Sequence, residues 1–179
     1  MESAPPDVDP TTLEAASGPP PPEVAERYLA LPEDFSPAVV ELAGEVTAGA
    51  ATPYQQALAL QAFFLDGTFQ YSLEVAPGHG NSAIEDFLER RTGYCEQFAG
   101  TYAAMARAVG LPSRVAVGYM AGDVDPDDPQ RHLVRGEDAH ALPEVWLTGV
   151  GWIPMEPTPP DPADAASSPT TTAPSAPTT

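Results

Sequence analysis

The stretch GYCEQFAGTYAAMARAVG (residues 93–110) contains Cys95, the only cysteine of the 179-residue chain, directly ahead of an amphipathic pattern. Apolar side chains recur at steps of three and four residues, which places them on one face of a helix; they are Phe98, Tyr102, Met105, Ala106 and Val109. Gly110 and Pro112 are typical of the end of such a helix. The stretch therefore predicts a helix with Cys95 at its N-terminus and one face in a core.

The predicted position of Cys95 suits a nucleophilic thiolate. Unpaired N–H groups and the helix dipole favour a negative charge at a helix N-terminus, and the thiolate is the nucleophilic form of cysteine. The same N–H groups are donors for an oxyanion, and Gly93 is expected to give the preceding turn backbone freedom. A lone cysteine at a helix start is more often an inert structural residue, so both interpretations stay open at this point.

Helix signals precede this stretch. Ser36-Pro37 and Thr52-Pro53 each combine a capping hydroxyl with a proline at the first helical position, and they open helices over 36–46 and 52–66. The apolar stripe of the second helix includes one polar residue, Gln61. A Ser82–Glu85 capping box predicts the start of a third helix, IEDFLERR.

Strand signals follow it. The pattern of apolar and polar residues predicts three strands, over 113–120, 140–147 and 151–156, and the last two are joined by a glycine-containing turn. Residues 122–138 have the composition of a polar loop. Helices followed by an antiparallel sheet predict an α+β fold in which the helix of Cys95 packs on the sheet.

Composition predicts the domain bounds and excludes several partners. Residues 1–22 and 157–179 each hold seven of the 23 prolines, so we predict linkers over 1–22 and 161–179 around a domain over 23–160. The net charge is −19 and all seven cations are arginine, so the chain lacks the basic stripe that nucleic acid requires and has no attraction for an anionic membrane. No apolar run is long enough to cross a membrane, and one cysteine allows no internal disulfide.

Of the three histidines, His140 is the best candidate for a base that serves Cys95. His79 lies in a glycine-flanked turn and His132 in the acidic loop, whereas His140 begins a predicted strand. Glu156 follows sixteen residues later on the facing strand, where a carboxylate would hold the imidazole tautomer. Sequence does not fix the register of this hairpin, so the contact between His140 and Glu156 is a prediction of proximity.

At these residues the chain resembles the bacterial transglutaminase-like superfamily. The segments GYC, RAVGLPSRVAVGY, HALPEV and GWIPMEPTP occur in the order of that family within a motif core over 91–159. The resemblance implies a papain-like fold with Cys95 as nucleophile, His140 as base and Glu156 as the orienting acid, where many relatives have aspartate. It also implies that Leu142 stands where tryptophan is usual, which alters the wall of the site.

Two further site residues are predicted with less support. Tyr71 recurs at a similar place in relatives, upstream of the nucleophile, and its hydroxyl could assist an oxyanion; packing in the core is the alternative. Gln97 lies in the first turn of the helix of Cys95 and could line the cleft.

The resemblance implies thiol-dependent acyl transfer or hydrolysis on peptide or protein amides through a Cys-His-Glu triad and a thioester. A peptidase, a deamidase and a cross-linking transglutaminase share this triad, and we expect hydrolysis to be favoured in an exported domain. An inactive peptide-binding module on the same fold is the alternative. Relatives with E-P-T-P display the domain outside the cytoplasm, so we expect an extracytoplasmic segment of a membrane-anchored bacterial protein.

No cofactor or metal is expected. The acidic loop 123–128 places aspartates at the first, third and fifth positions of a calcium-binding EF-hand template, but Asp128 replaces the required glycine and Val134 the required glutamate. Weak calcium binding by this loop is the alternative to a solvated acidic loop.

Overall fold

A computed structural model describes residues 8–75 and 81–161 of the chain. Its α-helices are α1 (Pro10–Ala15), α2 (Pro22–Tyr28), α3 (Pro37–Thr47), α4 (Pro53–Phe64), α5 (Asn81–Arg90) and α6 (Cys95–Ala108). The first four begin with proline. Proline has no N–H, and this costs nothing at the first helical position, where an N–H would have no partner inside the helix. The helices predicted over 36–46, 52–66 and after Gly93 are confirmed, with small shifts at their ends.

The strands, in chain order, are β1 (Gln70–Tyr71), β2 (Thr92–Gly93), β3 (Ser113–Tyr119), β4 (Asp123–Asp125), β5 (Asp128–Leu133), β6 (Ala139–Leu147) and β7 (Gly151–Pro154). The main sheet is antiparallel with the order β3-β6-β7. This arrangement confirms the predicted α+β class with three strands near their predicted bounds. Arg114 of β3 stands opposite Glu144 of β6 and donates to its carboxylate at 2.6 Å, which helps to fix the register.

Helix α6 lies at the centre of the core. Its residues Phe98, Tyr102 and Met105 are fully buried, and α6 packs against α3, α4 and strand β6. The Tyr102 hydroxyl donates to the carbonyl of Ala57 in α4 at 2.8 Å, and burial raises the pKa of this phenol. Gly110 ends the helix in a left-handed conformation at φ 85°, as the sequence predicts. The position of Cys95 is therefore fixed by the best-packed helix of the domain.

The predicted caps of α3 and α5 do not form, because Ser36 and Glu85 bond to each other instead. Helix α5 begins at Asn81, so Ser82 lies inside the helix and cannot cap it. Glu85 instead accepts a hydrogen bond from the Ser36 hydroxyl at the start of α3, and that hydroxyl makes no capping bond to its own helix. A hydrogen bond between two helices thus replaces two local ones. Thr52 does cap α4, since its hydroxyl accepts from the N–H of Gln55 at 3.1 Å.

The prediction of an irregular loop over 122–138 is wrong. Strands β4 and β5 form an antiparallel hairpin there, followed by a short 3-10 helix at Gly136–Asp138. Asp125 explains the order: it is 4% exposed, pairs with Arg131, and accepts the N–H of Asp127 at 3.0 Å across the turn. Polar composition masked this hairpin because one of its acidic side chains, Asp125, is buried and serves as a turn and ion-pair partner, whereas Asp123, Asp127 and Asp128 are exposed.

The described part of the predicted linker 1–22 differs from an extended chain. Residues 10–15 form α1, whose Leu13 is buried in the core, and Glu14 accepts hydrogen bonds from Thr52 and Gln55 of α4. The Asp9-Pro10 pair is a helix start, which proline content alone does not reveal. Residues 1–7, most of 161–179 and the glycine-flanked His79 lie outside the described residues. Within the part of the chain that is described, no helix is long and apolar enough to cross a membrane.

Candidate active site

Cys95 is the first residue of α6 and follows directly on β2. Tyr94 occupies the N-cap position in an extended conformation (φ −116°, ψ 174°), and the Cys95 side chain is half-buried. The first N–H groups of a helix have no partner inside it, so the thiol is carried at the end of α6 where backbone donors and the positive end of the helix dipole lie. This is the environment that the sequence predicts for a nucleophile and for the oxyanion it would generate.

Gly93 is required for a reason that the sequence analysis did not give. Its φ is not in the left-handed region, so the predicted need for backbone freedom is wrong. A Cβ at this position would lie 2.8 Å from Cε2 of Phe87 and closer still to Oε1 of Gln97. Phe87 is 1% exposed and is held among other aromatic rings, so it cannot give way. Close packing, rather than an unusual backbone angle, therefore demands glycine two residues before Cys95.

Gln97 has a structural contact beside its predicted place in the cleft. The residue is 9% exposed, and its Oε1 accepts from the N–H of Tyr94 at 3.4 Å. The side chain thus turns back from the third helical position toward the N-cap, as one half of a capping box does. It stabilises the first turn of α6, while a contact with substrate stays a prediction.

Tyr71 is brought beside the turn that carries the cysteine. Strands β1 and β2 pair in parallel, with Tyr71 opposite Gly93. The N–H of Ser72 donates to the carbonyl of Gly93 at 2.7 Å, which ties the two segments together. The structure therefore places Tyr71 near the start of α6, as the resemblance implies, and its role in the oxyanion site stays a prediction.

His140 and Glu156 are in direct contact. Nε2 of His140 lies 2.6 Å from Oε2 of Glu156, and the two side chains are 17% and 48% exposed. A carboxylate accepts only, so Nε2 carries the proton and Nδ1 of the neutral ring is left as an acceptor. Of the predicted pairs, the structure brings this one together.

The carboxylate and the backbone of Glu156 have two further partners that the sequence analysis missed. Oε1 accepts from the N–H of Thr158 at 3.0 Å, and the N–H of Glu156 donates to Oε1 of Gln61 in α4 at 2.9 Å. A polar residue in the apolar stripe of α4 was the available signal for Gln61. Thr158 acts through its backbone, which leaves no sequence signal.

Cys95 and His140 lie on neighbouring elements. Helix α6 packs across β6, whose residues Ala141, Val145 and Leu147 are buried, while His140 and Leu142 alternate with them and are half-buried. In the described part of the chain, no hydrogen bond joins the thiol of Cys95 to the imidazole of His140. The histidine–acid pair is therefore formed directly, on the strand that α6 packs against.

Leu142 lies beside His140, as predicted. The two side chains line a shallow cavity of about 160 Å³ together with residues 116–120 of β3 and the segment after it. His132, by contrast, is exposed on β5, where its Nδ1 is 3.4 Å from the carbonyl of Gly122. Among residues 8–75 and 81–161, no group of three or more His, Cys, Asp or Glu side chains is arranged to hold a metal ion.

Comparison with known proteins defines the class to which this fold and site belong. Residues 40–157 match the Transglutaminase-like superfamily, and the chain is 36% identical over 138 residues to the protein-glutamine gamma-glutamyltransferase of Pseudomonas aeruginosa. The chain belongs to the transglutaminase-like superfamily. That match covers 76% of this chain and 20% of the relative, so the chain spans about a fifth of the length of the curated relatives it matches.

Particular relatives extend the comparison. The crystal structure of the periplasmic domain of TgpA from Pseudomonas aeruginosa aligns with a TM-score of 0.69 at 36% identity and covers 76% of this chain and 47% of that one. YebA of Bacillus subtilis, an uncharacterised protein, is 27% identical over 140 residues, which is 75% of this chain and 19% of YebA. A putative cysteine protease from Cytophaga hutchinsonii, 21% identical with a TM-score of 0.54 and covering 88% and 45% of the two chains, shows the shared fold.

Proposed function

We propose that this domain catalyses thiol-dependent acyl transfer on peptide or protein amides, with Cys95 as nucleophile, His140 as acid–base and Glu156 as the orienting acid. The observation that carries the proposal is the 2.6 Å contact between Nε2 of His140 and Oε2 of Glu156. The position of Cys95 at the start of α6 and the family of the chain support it. Such chemistry needs a nucleophile, a base and a group that orients the base, and the proposal assigns these roles to the three residues.

The acylation half of the proposed reaction has two proton transfers and passes through a tetrahedral adduct to a thioester. Nδ1 of His140 takes the thiol proton, and the sulfur of Cys95 attacks the amide carbonyl carbon to give a tetrahedral oxyanion. N–H groups at the start of α6 stabilise that oxyanion. His140 then gives its proton to the departing nitrogen as the C–N bond breaks, which leaves a thioester on Cys95. Glu156 accepts from Nε2 throughout and stabilises the imidazolium.

The acyl acceptor decides the name of the reaction. An amine gives cross-linking and water gives hydrolysis, and the same three residues serve both. The relative named a protein-glutamine gamma-glutamyltransferase supports the side-chain amide of glutamine as the first donor to test. This chain contains no lysine, so a lysine acceptor must come from another molecule. The match to the periplasmic domain of TgpA supports a place on the extracytoplasmic face of a bacterial membrane, in a membrane-anchored protein.

The rate at which iodoacetamide alkylates Cys95 at pH 6, measured by intact-protein mass spectrometry, tests the proposal. An isolated thiol with a pKa near 8.5 is only roughly 0.3% thiolate at this pH. We expect the wild type to react at least about tenfold faster than His140→Ala, because the imidazole takes the thiol proton. His132→Ala is the matched control, since this exposed histidine on β5 contacts neither Cys95 nor Glu156 among the described residues. Equal rates in all three proteins would remove the basis for the proposal.

A substrate assay then separates the reactions. A glutamine-containing peptide is incubated with the chain, with and without a fluorescent primary amine, and ammonia release and amine incorporation are measured. Cys95→Ser must abolish both. Ammonia release without incorporation identifies a deamidase, and peptide cleavage identifies a peptidase.

A peptide-binding module without activity is the second candidate, and Leu142 favours it. The residue beside His140 is smaller than the tryptophan usual in the family, so the wall of the shallow cavity is altered. For this candidate we expect Cys95 to react no faster than an ordinary thiol, while peptides still bind the chain and Cys95→Ser leaves that binding unchanged.

A further inference from the structure

Glu156 lies beyond the regular hydrogen bonding of the sheet. Strand β7 ends at Pro154, and the last backbone bond to β6 runs from the N–H of Met155 to the carbonyl of Pro143 at 2.9 Å. The side chain of Glu156 is 48% exposed, so burial does not hold it. A glutamate has three rotatable side-chain bonds, and a partly exposed one samples many rotamers. Other contacts must hold its carboxylate against His140.

Three hydrogen bonds fix Glu156, and one of them comes from a separate helix. Its Oε2 contacts His140, its Oε1 accepts from the nearby N–H of Thr158, and its own N–H donates to Oε1 of Gln61 at 2.9 Å. The donor here is a backbone N–H, which identifies the oxygen of the Gln61 amide as the atom that faces it. Of these three hydrogen bonds, the third is the one that reaches α4.

Helix α4 is a rigid support for that contact. Leu60 and Phe64, which flank Gln61 in the sequence, are fully buried, and the carbonyl of Ala57 accepts the hydroxyl of Tyr102 from α6 at 2.8 Å. The helix that carries Gln61 is therefore bonded to the helix that begins with Cys95. Gln61 links the position of the acid to the position of the nucleophile.

We infer that Gln61 is a positioning residue of this site, which holds the backbone of Glu156 so that its carboxylate stays in contact with His140. The inference rests on the proposed function. Without the Gln61 oxygen, the N–H of Glu156 loses its partner, and the backbone of Glu156 can shift between its buried neighbours Met155 and Pro157. A displacement of about 1 Å is enough to break a hydrogen bond of this length and to lower a catalytic rate many-fold.

The test compares three variants on α4. Gln61→Leu removes the acceptor at similar size, and Gln61→Glu retains an acceptor oxygen. Gln55→Leu is the matched control, because Gln55 lies on the same helix and also bonds to residues outside it. Its side chain accepts from the N–H of Ala51 at 2.9 Å and donates to Glu14 at 3.0 Å, and neither bond involves Glu156. Urea unfolding of each variant reports any loss of stability.

Two readouts address the site itself. The first is the rate of Cys95 alkylation by iodoacetamide between pH 5 and pH 9. The second is the tautomer of His140 from long-range proton–nitrogen NMR spectra, with the signal identified by its loss in His140→Ala. We expect Gln61→Leu to lose roughly three- to tenfold of the rate at pH 6 and to mix the two His140 tautomers. Gln55→Leu should keep the wild-type profile, and both Gln61→Glu and Gln55→Leu should keep the Nε2–H tautomer.

The outcomes separate this inference from the proposed function. A Gln61→Leu protein with the wild-type pH profile and tautomer overturns the positioning role and leaves the proposed function intact. Equal losses in Gln61→Leu and Gln55→Leu also overturn it, because they show a general effect on α4. If wild type and His140→Ala are alkylated alike, the proposed function fails, and the His140 tautomer in Gln61→Leu still decides whether Gln61 positions Glu156.

Discussion

Gly93→Ala should destabilise the domain although it adds only one methyl group. The new Cβ would lie 2.8 Å from Cε2 of Phe87 and would also collide with Oε1 of Gln97. Ordinary carbon contacts are about 3.5–4.0 Å. Phe87 is 1% exposed and cannot withdraw, and its ring packs edge-on against Phe98 at 4.9 Å. Gln97 can rotate away only by giving up its bond to the N–H of Tyr94.

Two opposing terms determine the size of the effect. Overpacking a filled site costs about 1–3 kcal/mol, while replacing glycine by alanine reduces the entropy of the unfolded chain and returns about 0.4–1 kcal/mol. We therefore expect a net loss of about 1–2 kcal/mol in the free energy of unfolding. For a domain of this size, that loss lowers Tm by roughly 2–8 °C.

Gly100→Ala is the matched control. Gly100 lies inside α6, and a Cβ there meets nothing within 4 Å. Alanine is the better helix former, so this change should raise the free energy of unfolding by about 0.5–1 kcal/mol. Urea unfolding of wild type and both variants, followed by circular dichroism, measures the differences. The reasoning is refuted if Gly93→Ala is as stable as wild type, or if Gly100→Ala destabilises the domain by the same amount.

Three further changes test other contacts. Tyr102→Phe removes the buried hydrogen bond to Ala57 and should cost about 1–2 kcal/mol in urea unfolding; an unchanged midpoint would contradict that bond. The Thr158 hydroxyl is buried and has no partner among the described residues, so Thr158→Val should be neutral or stabilise by up to about 1 kcal/mol. Hydrogen bonds from the Thr11 side chain and N–H lower the pKa of Asp9, so its stabilisation of α1 is present above the ordinary value of 3.8 and is lost as pH falls through the lower folded value. Hydrogen-exchange protection of α1 should fall accordingly below pH 4, and Asp9→Asn should remove that dependence.

The start of α6 and the apolar stripe through Phe98, Tyr102 and Met105 could be predicted because their causes are local, whereas the burial of its other sides by neighbouring elements could not. The step of the apolar residues, Gly110 after the helix and the Thr52-Pro53 start of α4 each act within a few residues of themselves. The same holds for His140 on a strand and for the alternation of β6. The candidate residues were found because residue type and order, along with the family resemblance, carry that information.

Local rules failed where the partner of a group lies outside the local pattern that was considered. The Ser36 hydroxyl bonds to Glu85 of another helix instead of capping its own, and Asp125 orders a hairpin by pairing with Arg131. Leu13 gives α1 a buried contact that its proline-rich surroundings conceal. In each case, the partner is chosen by proximity in the folded chain, which composition does not record.

The sequence by itself determined the α+β order, the helix that presents Cys95, and the histidine and acid to examine. Only the tertiary structure decided that Nε2 of His140 meets Oε2 of Glu156, because hairpin register and the path of the chain after β7 depend on packing across the sheet. It alone also decided that Gln61 bonds the backbone of Glu156, since a hydrogen bond between residues 95 positions apart depends on how α4 and the sheet pack together. Periodicity determines which face of a helix or strand is buried, and tertiary packing determines which residues contact that face.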